Sequence, residues 1–160
     1  MLVFGFVLAL NAQTEKYYAG FIYNFTKNME WPANKKSGDF VIAVVGDSPV
    51  FPYLQQLAAT KTVGTQKMVI KKVSSASQAA GCHLIFLSKG SSGELDAAKS
   101  TAISSNALLV TEKAGLGKKG AGMNFIDNGG RIGFEVNQGQ LKACGIKINS
   151  KLAEMGTKVG

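Results

Sequence analysis

The chain has 160 residues, 46% of them hydrophobic and 18% charged, which suits one domain with a core of its own, and nothing in it suggests a second. Its 19 glycines are scattered, accompanied by only three prolines and set in no repeat, so collagen-like and low-complexity architectures are excluded. Eighteen Lys+Arg against ten Asp+Glu give a formal charge of +8, but the lysines come singly or as the pairs Lys35/Lys36, Lys71/Lys72 and Lys118/Lys119. With no basic helix and no interleaved stacking aromatics, that charge reads as a solvated surface and argues against a nucleic-acid partner.

Met1 to Leu10 is almost purely apolar and runs into Asn11, Ala12 and Gln13, which resembles the core and small-residue cleavage site of a secretory signal. The stretch is too short to cross a bilayer as a helix, which takes about 20 residues. The expected division is therefore a signal peptide over 1–12 and a single α/β domain over 13–160, with a buried N-terminal strand or helix as the alternative.

Tyr18, Phe21, Ile22, Phe25 and Met29 recur at spacings of three and four, placing them on one face of a helix from Thr14 to Met29 that Trp31-Pro32 stops. Phe40 to Gly46 (FVIAVVG) is a continuous apolar run, the pattern of a strand buried on both faces. A helix over Val50–Ala59, a strand over Lys67–Val73, a short helix over Ser75–Ala80 and a strand over Cys82–Ser88 follow. A helix over Gly93–Ser104 and a strand over Ala107–Thr111 complete the alternation. Such a rhythm predicts an α/β fold with three layers, a mostly parallel central sheet flanked by helices. Asn128-Gly129-Gly130 then links Met123–Asp127 to Arg131–Val136 as an antiparallel hairpin at the sheet edge. Gln138–Ala143 reads as a helix, and Ile146–Met155 as a short extended or helical piece.

Gly115, Gly117 and Gly120 spell G-x-G-x-x-G, but a dinucleotide loop must open a helix whose amides receive the pyrophosphate, and these glycines lead into a hairpin. No cofactor is expected. His83 is the only histidine, and no second ligand lies at metal spacing, so no metal is expected either. Cys82 and Cys144 either form one disulfide, which export would permit, or are two separately buried thiols. No catalytic residue is assigned: Cys82 and His83 are neighbours on a strand and point to opposite faces.

Ligands of parallel sheets sit beyond the carboxyl ends of the strands. Those ends carry Asp47 and Ser48, then Ser88, Lys89, Ser91 and Ser92, then Thr111. These seven are the candidate ligand-binding residues, suited to a small anion or nucleotide, with turn and helix-capping chemistry as their ordinary alternative role.

The segment Ala19-Gly20-Phe21-Ile22-Tyr23-Asn24-Phe25-Thr26-Lys27 ending in Glu30-Trp31-Pro32 resembles the opening signature of YfiR/HmsC-like proteins. Ile42 to Asp47, Cys82 to Leu87, Gly122-Met123 with Phe125, Asn128 to Val136 and Gly145 to Leu152 continue the resemblance in order. It implies an exported, periplasmic, non-enzymatic α/β regulator. Its partner would be the sensor portion of a membrane-bound diguanylate cyclase or a similar envelope protein, so that the chain modulates cyclic-di-GMP signalling and biofilm formation. A periplasmic small-molecule binding module is the alternative. No second cysteine pair of the family matches onto this chain.

Two further expectations come from the residues themselves. Glu135 alternates with Phe134 and Val136 and is expected to pair with Lys147 or Lys151 at the surface. Tyr17, Tyr18 and Tyr23 on the first helix suit an interface, giving a homodimer through that helix or the hairpin edge, against a monomer whose tyrosines line its surface.

Overall fold

The computed structural model describes the backbone of residues 2–160 and the side chains from Gln13 onward, so the expected signal peptide over 1–12 lies outside the described side chains. The first helix, α1, spans Leu2–Lys27. It ends two residues earlier than its apolar spacing suggests because the Asn28 amide side chain donates to the Asn24 carbonyl at 2.8 Å and closes the last turn. Met29–Glu30 then forms a two-residue strand, β1.

Further along the chain come β2 (Phe40–Val45), α2 (Val50–Thr60), β3 (Thr62–Val63), β4 (Gln66–Val73), β5 (Leu84–Leu87), α3 (Leu95–Ser105) and β6 (Leu108–Thr111). The last part holds β7 (Met123–Asn128), β8 (Arg131–Val136), α4 (Gln138–Ala143), β9 (Lys147–Ile148), α5 (Ser150–Met155) and β10 (Thr157–Lys158). The eight-stranded sheet runs in the order β10-β8-β7-β6-β5-β2-β4-β3, and β1 and β9 make a separate antiparallel pair. Strands β4, β2, β5, β6 and β7 are parallel, while β7 and β8 form the antiparallel hairpin.

From β2 the chain first crosses through α2 to β4, then starts again at β5 on the opposite side of β2 and crosses through α3 to β6. Right-handed crossovers in opposite directions place α2 and α3 on opposite faces, which makes the three layers. The inner strands read as unbroken apolar runs because both faces are covered: Ile42, Ala43, Val44, Leu84, Ile85, Phe86 and Leu108 are all fully buried. Helix α1 lays its apolar stripe over the hairpin, where Phe25 meets Phe125 and Phe134 at ring separations of 5.7 and 5.1 Å.

Several boundaries differ from the sequence pattern. The Ser75–Ala80 segment forms a single 3₁₀ turn, Ala76–Ala79, in which Ser75 and Gln78 close a capping box. Cys82 and His83 precede strand β5, and a 3₁₀ stretch over Lys89–Glu94 leads into α3. The hairpin does lie near the sheet edge, with β10 added outside it along Glu135 and Val136.

At the amino end of the sheet, an aromatic and polar plug ties α1 to the strands. Trp31 packs edge-on to Phe40 at 5.1 Å, and its indole N–H donates to the Thr26 carbonyl. The buried His83 ring lies 4.5 Å from Phe40; its Nδ1 accepts from the Val41 amide, and its Nε2 lies 3.0 Å from the Lys35 carbonyl oxygen. Lys35 is itself buried and donates to the carbonyls of Gly81 and Cys82, both at 3.0 Å. Burial and the nearby Lys35 charge hold the His83 pKa below its usual value, so the ring is neutral with the proton on Nε2.

Candidate functional site

The connection reversal falls between β2 and β5, and in an open parallel sheet a crevice forms beyond the strand ends at that point. There the loop after β2 meets the loop after β5. Gly46 adopts φ +81°, a conformation suited to glycine, and any Cβ at this position would collide with the Ser91 hydroxyl and lie 2.7 Å from that of Ser88. Ser88 is 2% exposed, and its hydroxyl oxygen has no hydrogen-bond partner. A buried hydroxyl left this way incurs a desolvation cost without a compensating bond.

The other candidates at the strand ends already have work within the fold. Ser48 Oγ accepts from the Val50 amide at 3.2 Å and so caps the start of α2. Ser92 Oγ donates to the Lys89 carbonyl. Asp47 forms an ion pair with Lys72, and that contact holds its carboxyl below the usual carboxylate range. The Lys89 amide, which an anion would need, donates instead to the Glu112 carboxylate at 2.9 Å. Thr111 is fully buried and starts a polar chain: its hydroxyl donates to Asn124 Oδ1 at 2.7 Å, and Asn124 Nδ2 donates to Glu135 at 2.8 Å. Of the seven, therefore, Ser88 and Ser91 converge on Gly46, and Thr111 is turned into the sheet.

The same chain corrects the expectation for Glu135, which pairs with Asn124 rather than Lys147 or Lys151. The G-x-G-x-x-G loop sits directly above it. A Cβ at Gly117 would lie 2.7 Å from the Glu135 carboxylate, and the Gly117 carbonyl accepts from Asn137 Nδ2. Gly117 thus serves close packing between a loop and the hairpin, whereas Gly120 lies against the Lys99 side chain of α3 and Gly115 faces open space.

A feature the sequence did not signal lies beside the crevice. Burial pushes the Glu15 carboxyl up to about 7, with a further push from the charge of Glu112, and one of its carboxylate oxygens is buried without a partner. Glu112 is also raised, by burial first, with the Lys89 amide bond and charge opposing. Tyr18 stacks on Phe125 at 4.2 Å, and its phenol is pushed up to about 12 by burial and then by Glu112, Glu15 and Asp127. Two carboxyls, Glu15 on α1 and Glu112 just past the end of β6, are thus both held above the usual carboxylate range. Only the fold brings Glu15 to Glu112; the one hint in sequence was the position of Glu112 at a strand end.

Among the described residues, no group of three or more His, Cys, Asp or Glu side chains gathers to hold a metal. Cys82 and Cys144 are free thiols, each buried, so the disulfide is not formed in this structure; the Cys144 sulfur lies 3.6 Å from Gln140 Nε2. Of the three tyrosines expected at an interface, Tyr18 and Tyr23 pack against the core of the chain. The Tyr23 hydroxyl donates to the Thr62 carbonyl at 3.2 Å, and the Lys27 ammonium sits 5.4 Å above its ring. Tyr17 alone stays largely open, 52% exposed. No described helix is long and apolar enough to cross a membrane.

In comparisons with known proteins, the profile of YfiR/HmsC-like proteins matches residues 15–157. No curated protein matches the chain.

Proposed function

The chain belongs to the YfiR/HmsC-like family, whose members are known in the regulation of diguanylate cyclases and are regulatory rather than catalytic, and from that premise we propose that it is a periplasmic repressor acting by protein contact. Its partner is the sensor portion of a membrane-bound diguanylate cyclase, its output is the cellular level of cyclic-di-GMP and hence biofilm formation, and the residues before Gln13 are an export signal. The observation that carries this reading is the family match, which runs through every layer of the fold from Glu15 in α1 to Thr157 in β10. The side chains of Asp47, Ser48, Ser92 and Thr111 at the strand ends support it, because they are engaged in an ion pair and hydrogen bonds within the fold. Deleting the gene in its host and measuring cyclic-di-GMP tests the proposal: a rise on deletion, reversed by the chain with its leader and not by a leaderless version, is expected. Unchanged levels across growth conditions, or full rescue without the leader, would overturn it.

One observation favours a second reading, a small-molecule binding module. The unpartnered Ser88 hydroxyl beneath Gly46 sits where fold logic places a ligand. Ligand occupancy would then shift the population able to bind the partner. A thermal-shift screen of phosphate, nucleotides and small polar metabolites tests this, since a compound present at 100 times its dissociation constant stabilises by about 2.7 kcal/mol. A panel that moves nothing, together with unaltered regulation in Ser88→Ala, rejects the module.

A further inference from the structure

We propose that the groove between α4 and β9 is a docking surface for an acidic, leucine-bearing segment of a partner protein. The proposal rests on the reading of the chain as a regulator by contact and assigns the surface that makes the contact.

The groove is a cavity of about 570 Å³, open along its length, with Leu141, Ile146 and Ile148 on its walls and Lys142 and Lys147 at its rim. Gly139 and Gly145 also line it and send in no side chain to fill it. At Gly145 the backbone requires glycine, since φ is +73° and an added Cβ would stand 3.2 Å from the Asn106 side chain. A second cavity of about 240 Å³ shares Lys147 and Ile148 and extends the groove to Lys27 and Glu30. Lys142 and Lys147 thus flank an apolar trough whose extension contains a single carboxylate, Glu30, and Lys27, whose ammonium sits over the Tyr23 ring.

These charges are not neutralised within the fold. Among the described residues the ion pair of the molecule is Lys72 with Asp47, which belongs to the carboxyl end of the sheet. Among the described residues Lys142 and Lys147 are exposed and form no ion pair, although Glu30 lies opposite Lys147 in the β1–β9 register, and the whole chain carries a formal charge of +8. A partner that brings carboxylates to the rim and an aliphatic side chain to the trough satisfies both features at once, and the net field steers it in. Strand β9 is paired on one edge only, with β1, so its other edge offers main-chain groups to an extended segment.

The other basic-surface occupants fit less well. The cavity of about 570 Å³ has no aromatic side chain in its lining on which a base would stack. Leu141 and Ile146 are only 2% and 3% exposed, so half-buried Ile148 supplies the aliphatic contact of the trough, enough for one side chain and too little for insertion into a bilayer.

The test uses an extended hexapeptide of alternating Glu and Leu, its Gln-Leu counterpart, and anionic phosphatidylglycerol vesicles, each titrated into the isotope-labelled mature chain and followed by amide shifts. Shifts confined to residues 138–148 and 27–30, produced by the Glu-Leu peptide and weakened as salt rises from about 0.05 to 0.5 M, are expected. Replacing both rim lysines, Lys142→Glu with Lys147→Gln, should weaken binding roughly tenfold. Both residues are exposed, and an unchanged melting temperature checks that the variant is folded. Equal binding of the Gln-Leu peptide, shifts elsewhere, preference for vesicles, or indifference to the lysine substitutions overturns the surface. In the host, the same variant should fail to restore cyclic-di-GMP in the deletion strain. Full restoration refutes the docking surface and leaves the regulator reading standing, whereas a deletion without effect refutes the regulator reading.

Discussion

Replacing Glu15 with Gln should remove a pH-dependent weakness of the fold. The carboxyl titrates at about 7 in the folded chain against 4.5 for the unperturbed group, because burial and the charge of Glu112 both disfavour ionisation. A raised acid binds its proton more tightly when folded, so its contribution is fully present below the unfolded value of 4.5 and is lost as pH rises through about 7. The full difference would correspond to about 3 kcal/mol. Glu15 is only half buried, however, and solvent screening reduces the cost at pH 8 to about 1 kcal/mol. Urea denaturation of the mature wild-type and Glu15→Gln chains between about pH 4 and pH 8.5 measures this directly. The two should agree in stability at the acid end, and the variant should lead by about 1 kcal/mol at the alkaline end. Curves that stay parallel over the whole range would refute the argument, since they would mean that Glu15 ionises as freely in the folded chain as in the unfolded one.

Three more outcomes follow from the geometry. Gly46→Ala combines a positive φ with a clash against Ser91 and Ser88 and should cost about 2 to 4 kcal/mol in chemical denaturation, whereas Gly129→Ala at the open hairpin tip should cost about 1 to 2 kcal/mol, from backbone strain alone. Cys82 and Cys144, both buried and unbonded with thiols pushed up by burial, should react with a thiol reagent only on unfolding, and a reducing agent should leave the melting temperature unchanged. If the mature chain dimerises through α1, Tyr17→Glu should reduce its light-scattering mass to that of one chain at micromolar concentration, while Tyr23→Phe, which loses only the bond to Thr62, should leave it intact.

The strands β2, β5 and β6 were legible because full burial makes a parallel strand a continuous apolar run, visible in FVIAVV, LIFL and LLVT. The short strands β1, β3, β9 and β10 were not. Each has two residues, and each exists through backbone pairing with a segment set by the tertiary fold, as Met29 does with Ile148; side-chain periodicity says nothing at that length. The crevice residues were found by position alone, since Gly46, Ser88 and Ser91 follow from where the apolar runs end. Their separate duties depended on partners that no local pattern specifies: Lys72 for Asp47, Glu112 for the Lys89 amide, Asn124 for Thr111. The acid pair escaped notice for the same reason, with Glu15 brought to Glu112 only by the docking of α1 along the hairpin.

The residues that carry the family likeness have a common mechanical task. Trp31 and His83, far apart in sequence, stand 6.4 Å apart with Phe40 between them, and Lys35 completes the plug by holding the carbonyls of Gly81 and Cys82. Phe21 and Phe25 from the same signature pack on Phe125 and Phe134 of the hairpin. The signature therefore fixes α1 to the hairpin and, through the turn that follows it, to the amino end of β2. A motif that secures a helix to a sheet identifies the fold, and it leaves the contacts that choose a partner to residues outside it. The proposed contact surfaces give that part to Tyr17 on α1 and to Lys142 and Lys147 beside the α4–β9 groove, all exposed, so substitutions there should alter association while leaving stability alone, and substitutions at Trp31 or His83 should do the reverse.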